Sequence, residues 1–95
     1  MEYLVVLTRT GPEWERGVDM REQRGWEEHA RFMDGLVDRG FLVLGGPLDD
    51  GVRTAHVVSA DSEEHVRSTF AADPWSESLL EIGSIDRWTI LLDGR

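Results

Sequence analysis

The chain has no cysteine, so neither disulfides nor thiolate metal sites can supplement its core. Lysine is missing as well: all 10 basic residues are arginine, against 19 acidic ones, for a formal net charge of −9. That balance is repelled by phosphate backbones and by anionic lipid, which argues against nucleic-acid and membrane-surface partners. No apolar run approaches the roughly 20 residues that span a bilayer. The opening Met1-Glu2-Tyr3 leads directly into an apolar stretch, with neither the basic region nor the cleavage site of a signal peptide. A cytoplasmic location is the resulting expectation.

What is present suits one small folded domain, residues 1–95. The hydrophobic fraction is 40%, with four Trp, which is enough for a core and argues against disorder. A chain this short buries little more than half of the surface it exposes when unfolded, so association with a second copy is the expected source of further burial.

Residues 3–9, β-branched and aromatic, predict a first strand that Gly11-Pro12 ends. Asp19 and Glu22 fit a capping box, predicting a helix from Met20 to Arg39 with Gly40 as terminator. Within it Trp26, Ala30, Met33 and Val37 form one stripe, with His29, Phe32 and Leu36 beside it. Residues 41–44 predict a second strand, Asp49-Asp50-Gly51 a hairpin turn, and residues 52–60 a third strand. Asp61 or Ser62 caps a second helix that runs to Ala72, where Asp73-Pro74 stops it. Residues 79–92 predict a fourth strand, bent near Gly83-Ser84. The order βαββαβ, with right-handed crossovers, predicts an α+β, ferredoxin-like fold: a four-stranded antiparallel sheet with both helices on one face. Strands one and two are apolar at both parities, so the opposite face should also be covered. A homodimer with sheets packed face to face would cover it; a monomer with some exposed apolar residues is the alternative.

Several side chains have two readings. His29, at the edge of the apolar stripe, is either a buried histidine with one nitrogen satisfied or a base. Asp73 is either an Asp-Pro turn or a carboxylate that fixes a histidine tautomer. Gly45-Gly46-Pro47 is either a strand-ending bend or a place where backbone approaches a ligand. Arg9 either meets an anionic substrate or offsets local acidity. Trp14, Trp26 and Trp75 are pocket walls or core. His56 and His65 read as structural or solvated. No histidine pair has metal-ligand spacing with a carboxylate nearby, so no metal is expected.

Taken together, Tyr3–Leu7, Glu28-His29 with Phe32-Met33 and Leu36, Gly40, Phe41-Leu42, Gly45-Gly46-Pro47-Leu48, Ser62-Glu63-Glu64, Ala72-Asp73-Pro74-Trp75 and Ile85–Trp88 resemble the YCII-related family. That family lies within the dimeric α/β-barrel group, which includes muconolactone-isomerase-like proteins. The resemblance covers nearly the whole chain. It implies a His–Asp pair, here His29 and Asp73, in a cleft between helices and sheet. The implied activity is cofactor-free acid–base chemistry, lyase or isomerase in type, on a small cyclic or aromatic compound. Some similar proteins are linked to dehydrochlorination of chlorinated aromatics or to lactone-type isomerisation. Arg9, Trp26, Gly45, Gly46, Pro47 and Trp75 would contact the ligand. The alternative is a module that binds a small molecule without chemistry. Residues 10–24 are longer and more charged than the connection usual in the family.

Overall fold

The computed structural model describes residues 1–95. Its elements are β1 (Glu2–Thr8), a 3-10 turn (Met20–Glu22), α1 (Trp26–Asp38), β2 (Leu42–Pro47), β3 (Arg53–Ser59), α2 (Glu63–Ala71) and β4 (Glu81–Arg87). The strands form one antiparallel sheet in the order β2-β3-β1-β4. The expected α+β class, element order and four-stranded sheet are present, in an arrangement compatible with a ferredoxin-like fold. No helix is long and apolar enough to cross a membrane.

The period of two in β1 decides the layering. Tyr3, Val5 and Leu7 are buried while their neighbours are half-buried, and opposite them on β3 stand Val58, His56 and Thr54. Leu36 of α1 and Val66 and Phe70 of α2 join the same core as Tyr3, Val5, Leu7 and Val58, so both helices lie against one face. On the other face Leu4, Val6, Ala55 and Val57 are half-buried and Leu44 is exposed.

Three boundaries depart from expectation. The first helix begins at Trp26, not Met20. Asp19 caps only the 3-10 turn, accepting from the Arg21 N–H at 3.1 Å, and Gly25 then breaks the helix with φ of 74°. A side chain at Gly25 would be strained at that φ and would press on the Trp75 indole at 3.3 Å. The far end of α1 stops as expected: the Gly40 N–H donates to Val37 O and the Phe41 N–H to Leu36 O, both at 3.0 Å, a Schellman motif. Within α1 the buried positions are His29 and Leu36, and Val37 is exposed.

Gly45-Gly46-Pro47 does not end the second strand. These residues pair with His56, Ala55 and Thr54, and the proline is tolerated because β2 is a sheet edge. The fourth strand ends at Arg87 rather than Leu92, and Leu91 and Leu92 stand exposed. Its expected bend is a bulge: Val6 pairs with Ser84 and Leu7 with Ile82, leaving Gly83 over.

The long connection before α1 is ordered by Gln23, which is buried. Its Oε1 accepts from the Glu15 N–H at 2.9 Å, and its Nε2 donates to the carbonyls of Glu15 (2.8 Å) and Val18 (3.0 Å). Gly11 and Glu13 tie the same segment to Leu79 and Ser78 through backbone hydrogen bonds. Met20 and Arg9 are thereby held beside the first turns of α1.

Candidate active site

His29 comes from the first turn of α1 and Asp73 from the turn that follows α2. They are 44 positions apart, yet His29 Nδ1 lies 2.8 Å from Asp73 Oδ1 and 2.9 Å from Oδ2. Both residues are buried. The Asp-Pro turn and the histidine partner are not alternatives, because one carboxylate does both. Asp73 Oδ1 accepts from the Trp75 N–H at 2.9 Å, its carbonyl accepts from the Ser76 N–H at 2.9 Å, and the same carboxylate faces the imidazole. The carboxylate is thereby oriented from behind by the backbone of its own turn.

Trp75, two residues on, lies flat against the imidazole, with ring centroids 4.0 Å apart and planes 5° from parallel. Its own Nε1–H donates to Arg24 O at 2.6 Å, which anchors the indole to the segment just before α1. Trp26 leans on both rings, 5.9 Å from His29 and 5.8 Å from Trp75. The imidazole is therefore fixed in plane by Asp73 and in tilt by Trp75.

This arrangement sets the tautomer. An ionised carboxylate only accepts, so Nδ1 carries the hydrogen and neutral His29 presents a bare Nε2. That nitrogen makes no hydrogen bond within the chain, and it is not sealed off: Ser78 Oγ is the buried side-chain polar atom without a partner. His29 opens on a cavity of about 310 Å³. Arg9, Trp26, Gly45, Gly46, Pro47 and Trp75 line the same cavity, and Asp73 stands behind His29. His29, Asp73 and the six expected ligand contacts are thus brought together, whereas Trp14 packs edge-on against Trp75 at 5.7 Å and does not line the cavity. A hollow of about 410 Å³ lies on the other side of Asp73, but neither His29 nor His56 lines it.

Family models, curated proteins and solved structures return no match to this chain. Function has to be read from the cavity itself.

Two of the expected ligand contacts change meaning. A Cβ at Gly45 would come within 2.8 Å of His56 Cδ2, so the glycine makes room for an imidazole of the neighbouring strand. A Cβ at Gly46 would meet nothing within 4 Å. Arg9 has no carboxylate partner. It stacks over Trp14 at 5.0 Å, and its guanidinium donates to Met20 Sδ at 3.4 Å and, at the limit of a hydrogen bond, to Gly51 O at 3.5 Å.

His56, read from the sequence as structural or solvated, is buried and lines the cavity. Its Nδ1 lies 3.2 Å from Val5 O and its ring packs 5.7 Å from Phe70. The signal for it was parity: His56 shares its face of the strand with Val58, two residues on, and Val58 is fully buried. Burial holds the His56 pKa below the usual imidazole value, and nearby His29 adds to that. The Val5 carbonyl and Asp73 oppose it.

Below the ordinary value of 6.5 the unfolded chain binds a proton at this position that the folded chain refuses. The stability associated with neutral His56 is therefore complete above that pH and is lost as pH falls below it, until the folded value is passed. The expected slope is at most about 1.4 kcal/mol per pH unit. Urea midpoints of the wild type and His56→Asn at about pH 7.5 and 5.5 check this, the wild type losing more on acidification.

No three His, Asp or Glu side chains are placed to share a metal ion. The chemistry within reach is movement of a proton at His29 Nε2, with Asp73 stabilising the imidazolium that forms.

Proposed function

We propose that the chain is a YCII-related protein of the dimeric α/β-barrel group and a cofactor-free acid–base enzyme, a lyase or isomerase acting on a small cyclic or aromatic compound. The observation that carries this reading is the His29 imidazole, held through Nδ1 by both Asp73 oxygens with Nε2 open to the cavity. Nε2 takes a proton from substrate carbon; the imidazolium, stabilised by Asp73, returns it to another atom or to a leaving group. Arg9 is the cation on the wall that would offset negative charge developing on the substrate. The volume of about 310 Å³ lies at the small end of ligand sites, which suits one ring and not a dinucleotide.

Carbon–hydrogen exchange tests this directly. A library of small ring compounds, incubated with the protein in D₂O and read by mass spectrometry, is expected to contain members that gain deuterium or are converted. If no member exchanges or converts, the catalytic reading fails, and thermal protection by a compound would then support binding alone.

The same reading places the cytoplasmic protein in a homodimer whose sheets meet through Leu4, Val6, Leu44, Ala55 and Val57, the apolar side chains on the face away from the helices. Sedimentation should give twice the mass of the 10.8 kDa chain, and Val57→Asp should halve it. A wild type that stays monomeric at about 100 µM removes the dimer, since interfaces of this class bury well over about 1,000 Å² and are not dissociated there.

A further inference from the structure

His56 is the second imidazole on the wall of the His29 cavity, and the proton-transfer step leaves it without a role. Its surroundings define what it can do. Nδ1 faces the Val5 carbonyl at 3.2 Å, and a carbonyl oxygen only accepts, so Nδ1 carries the hydrogen. The neutral ring then has an Nε2 that can accept and cannot donate. That atom makes no hydrogen bond within the chain, and it is not among the sealed polar atoms without a partner. Phe70 packs on the ring, and the absent side chain of Gly45 leaves space for Cδ2, so the imidazole has a fixed pose. A rigid, bare acceptor on the wall of a small cavity awaits a donor.

Arg9 supplies the complementary half. It lines the same cavity, no carboxylate pairs with it, and its held donors go to a thioether and a distant carbonyl. Asp34 is the other charged side chain on the wall, and it faces the cavity from α1 beside Met33.

We propose that His56 is a substrate-contacting residue whose Nε2 accepts a hydrogen bond from a ligand hydroxyl, and that with Arg9 it restricts the cavity to single rings bearing both a hydroxyl and an anionic group. This rests on the acid–base reading of His29 and names the substrate class for it. Burial keeps His56 a weaker base than an ordinary imidazole, so it holds the hydroxyl without taking its proton, leaving proton transfer to His29. Two imidazoles of the same tautomer thereby divide the work: one moves a proton and one reads the ring.

The test is a binding measurement on the full-length chain labelled with ¹⁵N at histidine, near neutral pH. The probes are the three hydroxybenzoate isomers, benzoate and phenol. In the free protein, ring correlations should show the hydrogen of His56 on Nδ1 and none on Nε2. At least one hydroxybenzoate should bind about tenfold more tightly than benzoate and than phenol, and should shift the His56 Nε2 resonance. His56→Asn keeps an amide donor for Val5 O but has no acceptor at the Nε2 position. It should erase the preference over benzoate and leave benzoate affinity within roughly twofold. Arg9→Gln should erase the preference over phenol. A hydrogen on Nε2 in the free protein, no binding by any of the five, equal binding of hydroxybenzoate and benzoate, or a preference that survives His56→Asn overturns the proposal. The NMR readings on the wild type decide the matter even if the Asn variant does not fold. Binding requires no turnover, so failure here leaves the His29 chemistry standing, and failure of that chemistry leaves this selectivity measurable.

Discussion

In His29→Ala, kcat on an identified substrate is expected to fall at least roughly a thousandfold, within the 10²–10⁴ range that a positioned acid–base group contributes. The size follows from the absence of an understudy. His56 is the other imidazole on the cavity, and its burial holds its basicity down. Asp73 sits behind His29, oriented by the Trp75 N–H, and it does not line the cavity. The variant should fold, with a lowered Tm: a buried carboxylate would keep the Trp75 N–H and lose the imidazole, at a cost of about 1–3 kcal/mol. Circular dichroism and steady-state kinetics on the same preparation separate the two effects. Asp73→Asn is the sharper companion. Its amide can turn an N–H toward Nδ1, which drives the ring hydrogen to Nε2 and leaves the cavity facing an acid where a base is needed. A fall on the order of 10³–10⁴ in kcat with the ring still in place is expected. Turnover within tenfold of wild type in both variants would remove His29 and Asp73 from the chemistry.

How much of this was legible beforehand depends on the range of the forces involved. The order of elements and the sheet were written locally, in β-branched runs, in Gly40 and in the Asp49-Asp50-Gly51 turn, where Asp50 Oδ1 accepts from the Val52 and Arg53 N–H groups. The Ser62 cap is local too, its Oγ accepting from the His65 N–H at 3.1 Å. The start of α1 was misplaced because the capping box at Asp19 and Glu22 is also local, whereas the break at Gly25 answers to Trp75, fifty positions away. Gly45-Gly46-Pro47 looked like a stop because glycine and proline are poor strand residues. The pairing with β3 and the edge position override that propensity. Residues 88–92 had the opposite fault: β propensity continued past Arg87, but after the Trp88 N–H, which donates to Glu2 O, no partner strand pairs with the chain.

The site shows the same division. His29, Asp73, Arg9 and the tryptophans were found as residue types at suggestive places, and their convergence could be proposed only through the family resemblance. As a lone histidine in a strand, His56 is marked only by its parity with Val58, which places it on the core face and says nothing of a cavity there. Its neighbours in the fold are Val5, Phe70 and Gly45, none of them within ten positions of it. Gln23 was invisible for a related reason, since three hydrogen bonds from one amide are a property of the folded connection.

Trp75→Ala is expected to cost about 3–5 kcal/mol, the usual range for removing a buried tryptophan, out of a total of roughly 5–15 kcal/mol for a domain. The ring is 2% exposed and touches three aromatic neighbours: His29 stacked at 4.0 Å, Trp14 edge-on at 5.7 Å and Trp26 at 5.8 Å. Nothing local can fill the void, because those neighbours are themselves tied down: His29 by Asp73 and Trp14 beneath Arg9. The Arg24 carbonyl loses its donor, and Gly25, closed against the indole, loses its stop. Chemical denaturation should show the midpoint moving sharply toward zero denaturant. Trp75→Phe separates packing from polarity. A phenyl ring can still lie against the imidazole but cannot reach Arg24, so it should recover more than half of the lost stability and remain short of wild type by about 1 kcal/mol or somewhat more. The Phe variant should also retain most of kcat, since the plane of His29 is set by Asp73 and only the face contact by residue 75. A Trp75→Ala variant within about 1 kcal/mol of wild type would mean that the imidazole is not clamped from this side. Rigidity at His29 would then have to come from the Asp73 carboxylate alone.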